Sequence, residues 1–340
     1  MALPTDHVRS QGAVACSPSA VDTPGKPANV VPPAIGMAAD AMPFADGAYV
    51  IDRPLRQTAP TVFASPHSGR HYPMEFVAAS RLDATAIRRS EDAFIDHLFA
   101  SAPKHGAPLI SARFPRAYVD VNRDPFELDP DMFEDPLPDY ADISSPRVAA
   151  GLGTVARVVA SGSDIYRTKL RVADALDRIE CCYKPYHAAL GRLIEDTRRH
   201  FGICLLVDCH SMPSAGGQLE HGSGGRRVDM VLGDRHGAAC APQIVELAER
   251  TLTELGYKVL RNAPYAGGYT TRHYGRPATG THALQLEINR ALYMDEARIR
   301  RSAGFAALAG DLAVLVRALT QVDAWDASAL QTRLAAIHAE

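Results

Sequence analysis

The sequence predicts an α/β fold, a single domain in which helices flank a central mixed, mostly parallel sheet. Short β-branched or apolar runs alternate along the chain with longer segments in which apolar residues recur at helical spacing. Two predicted strands end near a histidine, His67 and His210, and a third over residues 283–289 alternates apolar and polar residues. Open α/β sheets bind ligands at the carboxyl ends of their strands, so these ends predict a functional site.

The elements are predicted from periodicity and from the prolines and glycines that interrupt it. Strands are predicted at residues 61–65, 108–113, 118–121, 203–208, 228–233, 257–261 and 283–289. Helices are predicted at residues 83–89, 92–102, 164–199 with a break or kink at Pro185, 238–254, 295–319 and 323–338. Residues 124–150 and 214–227 are predicted to be loops, the first acidic and proline-rich, the second glycine-rich.

Residues 1–45 are rich in Ala, Pro, Val and Ser without periodicity, and are predicted to form a disordered N-terminal tail. They lack the basic start and apolar core of a secretory signal. The folded domain is therefore expected to comprise residues 46–340.

The composition favours a globular protein that acts on small molecules. Of 340 residues, 46% are hydrophobic and 22% charged, and the formal net charge is -3. No basic stripe interleaved with aromatics is present, which argues against a nucleic acid partner. No apolar run is long enough to cross a membrane, and the six cysteines lack the spacing of a structural zinc site. A cytoplasmic protein with reduced cysteines is expected.

The polar face of the strand at residues 283–289 carries Gln285, Glu287 and Asn289, opposite Leu284, Leu286 and Ile288. A strand inside an α/β sheet is normally apolar on both faces. An isolated buried carboxylate is costly, so Glu287 needs a partner. The histidines at the ends of the other strands are the expected partners.

His67 and His210 each follow apolar strand residues and precede a serine, which favours a shared site over two turn-capping histidines. Neutral imidazole is a common zinc ligand, and the third ligand is expected to be a carboxylate. Asp92, at the start of a predicted helix, is preferred, with Glu91 and Asp96 as alternatives; acids are also favoured there simply by the helix dipole.

Asp208 precedes His210 by two residues, so both side chains point to the same side of a strand. Two roles remain open for it. It can orient the histidine from behind the metal, or it can cap the following turn.

Two arginine motifs are candidates for binding an anionic substrate. Asn122-Arg123 follows a short predicted strand, and Arg272 lies in a glycine-rich segment with Tyr269. Arginine binds carboxylates and oxyanions through paired hydrogen bonds. Structural alternatives are a salt bridge from Arg123 to the acidic loop and a solvated Arg272 in a tight turn.

These motifs, in this order, resemble the N-formylglutamate amidohydrolase (N-formylglutamate deformylase) family of histidine degradation over roughly residues 45–320. The resemblance is carried by the blocks Ser65-Pro66-His67-Ser68-Gly69, Asp92-x-x-x-Asp96, Val119-Asp120-Val121-Asn122-Arg123, Asp208-Cys209-His210-Ser211-Met212-Pro213, Gly267-Gly268-Tyr269 through Arg276-Pro277, and Leu284-Gln285-Leu286-Glu287-Ile288.

The resemblance implies a zinc-carboxypeptidase-like (phosphorylase/hydrolase-like) fold, also used by aspartoacylases and succinylglutamate desuccinylases. It implies one Zn²⁺ per chain, or another divalent metal, held by His67, Asp92 and His210. Glu287 is then the general base and Arg123 stabilises the oxyanion. The chain departs from the H-x-x-E of those relatives, because residue 70 is Arg.

The implied reaction is hydrolysis of N-formyl-L-glutamate, or a similar small anionic N-acyl amino acid, with Asn122, Arg272 and Tyr269 as substrate contacts. The Asn122-Arg123-Asp124-Pro125 sequence differs from the Asn-Arg-Pro-Pro of histidine-pathway members. The alternatives are hydrolysis of another N-acyl amino acid or small amide, and a non-catalytic binding protein that keeps the fold and the metal.

Overall fold

The predicted α/β fold with a central mixed sheet is confirmed by a computed structural model that describes residues 8–11, 44, 47–214 and 228–321. The strands are β1 (Val8–Gln11), β2 (Tyr49–Arg53), β3 (Thr61–Ser65), β4 (Leu109–Ala112), β5 (Cys204–Met212), β6 (Met230–Gly233), β7 (Val259–Arg261), β8 (Thr281–Asn289), β9 (Met294–Asp295) and β10 (Arg300–Arg301). The α-helices are α1 (Met74–Ala79), α2 (Ile95–Leu98), α3 (Pro146–Ala149), α4 (Val172–Arg178), α5 (Lys184–Phe201), α6 (Pro242–Glu254), α7 (Tyr269–Tyr274) and α8 (Phe305–Thr320).

The main sheet has the strand order β1-β2-β4-β3-β5-β8-β6-β7 among the described residues, and β9 and β10 form a separate pair. Strands β4, β3, β5 and β8 run parallel to one another. On either side of these four strands, β2 pairs antiparallel with β4, and β6 pairs antiparallel with β8. The carboxyl ends of β3, β5 and β8 therefore lie side by side at one edge of the sheet. This adjacency brings together the residues predicted to carry the chemistry.

Strands β5 and β8 are buried along their whole lengths, because helices cover both faces of the sheet. On one face Leu284, Leu286 and Ile288 pack into a core with residues of α6 and α8. On the other face Ala283 packs into the core beneath α5. Beyond Ala283, that second face of β8 carries Gln285, Glu287 and Asn289, so the core ends where the polar side chains begin.

Two predicted elements are wrong. The helix expected over residues 92–102 is only α2, because Phe94 has φ 67° and the Asp92 amide donates to the His67 carbonyl. The strand expected over residues 118–121 is absent, because the Asp120 amide donates to the Thr154 carbonyl rather than to a neighbouring strand.

The long helix expected over residues 164–199 begins later and has a discontinuity near the predicted place. Helix α4 leads into a π-helical turn, Ile179–Tyr183, and α5 follows with Pro185 in its first turn. Proline is tolerated there because the first amides of a helix have no partner within it. Residues 295–299 are not helical either, and α8 begins only at Phe305.

The segment over residues 124–150 has little regular structure, as predicted, but it is not a simple surface loop. Its buried Leu128, Met132 and Phe133 form a small separate core with residues near the start of α4. This core fixes the segment against the rest of the domain.

Three predictions fall largely outside the described residues. They are the tail over residues 1–45, the loop over residues 214–227 and the helix over residues 323–338. Within the first of these, Val8–Gln11 form β1 and pair antiparallel with β2, which differs from the disorder expected there. No helix among the described residues is both long and apolar enough to span a membrane.

The turn after β3 approaches the backbone after β4 so closely that it requires a glycine. A Cβ on Gly69 would lie 2.0 Å from the Phe114 carbonyl oxygen, and the neighbouring His71 amide donates to the Arg113 carbonyl. The close approach fixes the turn that carries His67.

We expect Gly69→Ala to lower the free energy of unfolding by about 1–3 kcal/mol, because the added methyl group forces the two backbones apart. Gly191→Ala is the matched control, since its Cβ would meet nothing within 4 Å and it lies inside α5. That control should stabilise the protein by up to about 1 kcal/mol. Urea unfolding followed by circular dichroism measures both, and equal effects of the two substitutions would contradict the steric account.

Candidate metal centre and active site

The two predicted metal-binding histidines meet at the carboxyl ends of adjacent strands. His67 lies two residues beyond β3, and its ring centroid is 4.8 Å from that of His210. His210 lies within β5 rather than beyond its end, because that strand continues to Met212. Both imidazoles are buried, with His67 at 0% and His210 at 2% relative exposure.

The acidic member of the group is Asp92, held in place by the turn that carries His67. Its amide donates to the His67 carbonyl at 3.0 Å. Its Oδ2 lies 3.3 Å from His67 Nδ1 and 3.0 Å from His210 Nδ1. The three residues offer ligand atoms that all lie within 4.8 Å of one another.

Neither of the alternative acids joins this group. Glu91 accepts hydrogen bonds from Tyr72 and Arg88, and Asp96 pairs with Arg70. Among the described residues, His67, Asp92 and His210 are the one group of His, Cys, Asp or Glu side chains close enough together to hold a metal ion.

The other oxygen of Asp92 is bound by the protein. Ser211 donates to Asp92 Oδ1 at 3.1 Å, and Arg290 Nη2 lies 3.3 Å from the same oxygen. Burial opposes ionisation of Asp92, but the hydrogen bonds from His210 and His67 hold its pKa well below the usual value. Asp92 is therefore an anion, and its Oδ2 faces the space between the two imidazole rings.

A carboxylate also lies behind each histidine. His67 Nε2 is 2.8 Å from Asp120 Oδ1, and His210 Nε2 is 2.9 Å from Asp208 Oδ2. When His67 Nε2–H donates to Asp120, the Nδ1 lone pair of His67 is left free on the side of Asp92. His210 Nε2 lies between Asp208 and the Asn122 amide nitrogen, and Asp208 acts on it through charge. Neither Asp208 oxygen accepts a hydrogen bond among the described residues, so Asp208 does not cap the following turn.

This donor set fits a single zinc ion. Ligand atoms ~2.0–2.2 Å from a tetrahedral ion lie ~3.3–3.5 Å from each other, which is close to the distances found between Asp92 and the two histidines. Nitrogen and carboxylate donors with oriented imidazoles suit zinc and related divalent metals. The buried His67, Asp92 and His210 can therefore bind a metal ion.

Glu287 lies beside this group, since it is the register partner of His210 on the adjacent strand β8. Burial raises its pKa to about 7; the charge of Asp92 adds to the effect, while His210 and Arg116 oppose it. Gln285 donates to Glu287 Oε1 at 2.9 Å and itself accepts from the Gly268 amide. The carboxyl group is thus oriented by its neighbour along the strand.

A cavity of about 460 Å³ opens beside these residues. Its lining includes His67, His210, Glu287, Asp120, Asn122, Arg116, Arg123, Arg147 and Arg290. The cavity has a volume in the range of small-molecule sites and combines several cations with two carboxyl groups, of which Glu287 has a raised pKa.

Asn122, predicted as a substrate contact, and Arg123, predicted to stabilise the oxyanion, both line this cavity. Asn122 Oδ1 accepts from the Thr270 amide at 2.8 Å, and its Nδ2 lies 3.2 Å from His210 Nε2. A Cβ on Gly268 would lie 2.5 Å from the Asn122 amide group, so a glycine is needed for this approach. Burial lowers the pKa of Arg123 to about 10, although Asp120 opposes the change.

The structure does not bring the other two predicted substrate contacts to the cavity. Arg272 has a side chain that is 52% exposed, lies 3.9 Å from Asp124, and is absent from the cavity lining. Tyr269 stacks on His273, with ring centroids 5.0 Å apart, and is also absent from the lining. Both belong to α7, whose amino end lies beside Asn122.

Comparison with known proteins identifies the family. The model of the N-formylglutamate amidohydrolase (FGase) family matches residues 59–294. An N-formylglutamate deformylase from Pseudomonas putida is 30% identical over 240 residues, which are 70% of this chain and 82% of that protein. The chain belongs to the N-formylglutamate amidohydrolase family. The resemblance read from the sequence motifs is confirmed.

Solved structures agree with this assignment. An N-formylglutamate amidohydrolase from Ralstonia eutropha JMP134 is 38% identical, with a TM-score of 0.76, and the match covers 81% of this chain and 97% of that one. A gene product from Agrobacterium tumefaciens shares the fold at 20% identity and a TM-score of 0.54.

Three residues of this N-formylglutamate amidohydrolase site had not been singled out from the sequence: Asp120, Arg116 and Arg290. Asp120 lies in the block that ends in Asn122-Arg123. The one sequence pattern that could have pointed to it is the alternation of Asp120 and Asn122 with Val119 and Val121. Arg116 and Arg290 are recognised only by their contacts with Asp120 and Asp92.

We expect Asp120→Asn to weaken metal binding about 10- to 100-fold, because an amide cannot supply the negative charge that orients and polarises His67. Asp139→Asn, at an exposed position outside the cavity, is the control and should bind as the native protein does. Competition with a chromophoric chelator measures the affinities.

His210→Ala should in addition lower the metal content on elemental analysis. Unchanged metal binding in both site variants, Asp120→Asn and His210→Ala, would contradict this arrangement.

Proposed function

We propose that this protein is a zinc-dependent amidohydrolase that cleaves N-formyl-L-glutamate, or a closely similar N-formyl amino acid, to formate and the free amino acid. The observation that carries the proposal is the position of Glu287, opposite His210 and beside a three-residue metal group, in a chain of this family. The Pseudomonas putida relative is named for the same activity. The catalytic domain comprises residues 46–340, and a reducing, cytoplasmic location accords with the free thiols of Cys204, Cys209 and Cys240.

His67, Asp92 and His210 would hold the zinc ion, which supplies Lewis acidity for activating water and polarising the formyl carbonyl. Glu287 accepts a proton from the attacking water and later delivers it to the departing amine nitrogen. Burial raises the pKa of Glu287, and a carboxylate with a raised pKa is a better proton acceptor. Water and the formyl amide thus become formate and amine, with no other reactant.

The oxyanion that develops on the formyl carbonyl needs positive charge nearby. Arg123 lines the cavity and is the cation assigned to this role. Arg116 is a further cation for it, because its Nε is bound to Asp120 while, among the described residues, its terminal nitrogens make no hydrogen bond. Asn122 contributes to positioning the substrate from the same wall.

We expect Glu287→Gln to keep the fold and the metal but to lose about 10²- to 10⁴-fold or more in kcat, because the amide cannot accept the proton. Glu246→Gln, on the exposed side of α6, is the control and should remain fully active. Formate release and elemental analysis measure the two properties. Near-native turnover by the Glu287 variant would remove this residue from the reaction.

A second test concerns the acyl group and the metal. N-formyl-, N-acetyl- and N-succinyl-L-glutamate should yield formate readily but little acetate or succinate. A chelator should abolish turnover, and added Zn²⁺ should restore it. Preferential release of acetate or succinate would favour another N-acyl amino acid hydrolase, and absence of turnover with retained metal would favour a binding protein.

A further inference from the structure

We propose that Arg147 binds the side-chain carboxylate of the substrate and so determines the preference for an acidic N-formyl amino acid. This inference rests on the proposed function, and it concerns which part of the substrate each cation of the cavity recognises. Arg147 lines the same cavity as His67, His210 and Glu287.

Arg290 and Arg123 are already engaged by the protein, and Arg116 donates through Nε to Asp120 next to the metal group. Arg290 uses all three guanidinium nitrogens, with hydrogen bonds to Ser211, Glu296, Asp92 and backbone carbonyls. Arg123 donates through Nε to the Leu152 carbonyl and through Nη1 to the Asn122 carbonyl. Arg290 thus holds the metal group, and Arg123 is fixed in the cavity wall with its Nη2 3.5 Å from Asp120, beside the metal group.

Arg147 differs from them, because in the described part of the chain its guanidinium forms no hydrogen bond and no ion pair. The charge of Arg147 acts on two neighbouring groups, the Arg123 guanidinium and the Glu127 carboxyl group. Burial raises the pKa of Glu127 and the charge of Arg147 opposes the change, but no hydrogen bond or ion pair joins these two side chains, and Glu127 Oε2 has no hydrogen-bond partner among the described residues. A guanidinium on a cavity wall with every N–H unused is suited to a carboxylate, which it binds through two parallel hydrogen bonds.

The backbone of Arg147 is fixed relative to the metal centre. Ser145 caps α3 by accepting from the Val148 amide, and Val148 is buried. The Leu152 amide donates to the Arg147 carbonyl, while the Leu152 carbonyl accepts from Arg123. One residue therefore ties the short helix that carries Arg147 to the arginine assigned to the oxyanion.

The rest of the lining suits the chain of a glutamyl group. Leu152, Ala156 and Val158 provide apolar surface for methylene groups. A substrate with two carboxylates needs a second cation beyond those next to the metal. Arg272, the candidate from the sequence, lies outside the cavity, whereas Arg147 lies within its lining.

The test compares N-formyl-L-glutamate with N-formyl-L-glutamine, which has nearly the same shape but no side-chain charge. Arg147→Met keeps an unbranched apolar side chain and removes the guanidinium. We expect kcat/KM for N-formyl-L-glutamate to fall about 10- to 100-fold, as for a lost charged hydrogen bond. For N-formyl-L-glutamine the value should change less than about 3-fold, and Arg147→Lys should restore part of the preference.

Arg171→Met is the matched control, because Arg171 is 67% exposed and lies outside the cavity lining. It should leave the ratio of the two kcat/KM values unchanged. Equal losses on both substrates, or an unchanged ratio in Arg147→Met, would overturn the assignment, as would loss of the preference in Arg272→Met alone. If the native protein releases no formate from any N-formyl amino acid, the proposed function itself fails; if it does so and only the ratio is insensitive, the role of Arg147 alone fails.

Discussion

The buried carboxylate of Asp92 is the group on which the architecture of the site depends. Its Oδ2 lies between the Nδ1 atoms of His67 and His210, while Ser211 and Arg290 hold its other oxygen. An unpaired carboxylate at this depth would be very costly, so the turn after β3, strand β5 and the residue after β8 must all meet at this point. The sheet order places these three elements beside one another, and Asp92 links them.

The charges around Asp92 explain why a divalent cation belongs there. Asp92 and Asp120 remain anions at this depth, because hydrogen bonds from the histidines and the charges of nearby arginines hold their pKa values well below the usual range. Arg116 and Arg123 lie beside Asp120, and Arg290 lies beside Asp92. Removing one member would leave its partner buried and uncompensated. A metal ion held by His67, Asp92 and His210 would add positive charge to this site, which favours an anionic substrate.

Strand β8 separates the structural side of the domain from the chemical side. Leu284, Leu286 and Ile288 pack beneath α6 and α8, and Glu287 on the opposite face lines the cavity. The close backbone approach that Gly268 permits lets α7 reach Asn122 and lets its own amide orient Gln285, which in turn orients Glu287. The proposed base is therefore positioned by the same strand that completes the core.

The sequence by itself determined the features that depend on local periodicity: the α/β order, the alternating strand with Glu287, and the strand ends at His67 and His210. Tertiary structure decided the contacts between segments far apart in the chain, such as the pairing of Asp120 with His67 and the presence of Arg147 rather than Arg272 in the cavity. Tertiary structure also prevented locally predicted elements from forming where a backbone amide donates to a residue distant in the sequence. The Asp92 amide donates to the His67 carbonyl, so the predicted helix is shortened to α2. The Asp120 amide donates to the Thr154 carbonyl, and the predicted strand does not form.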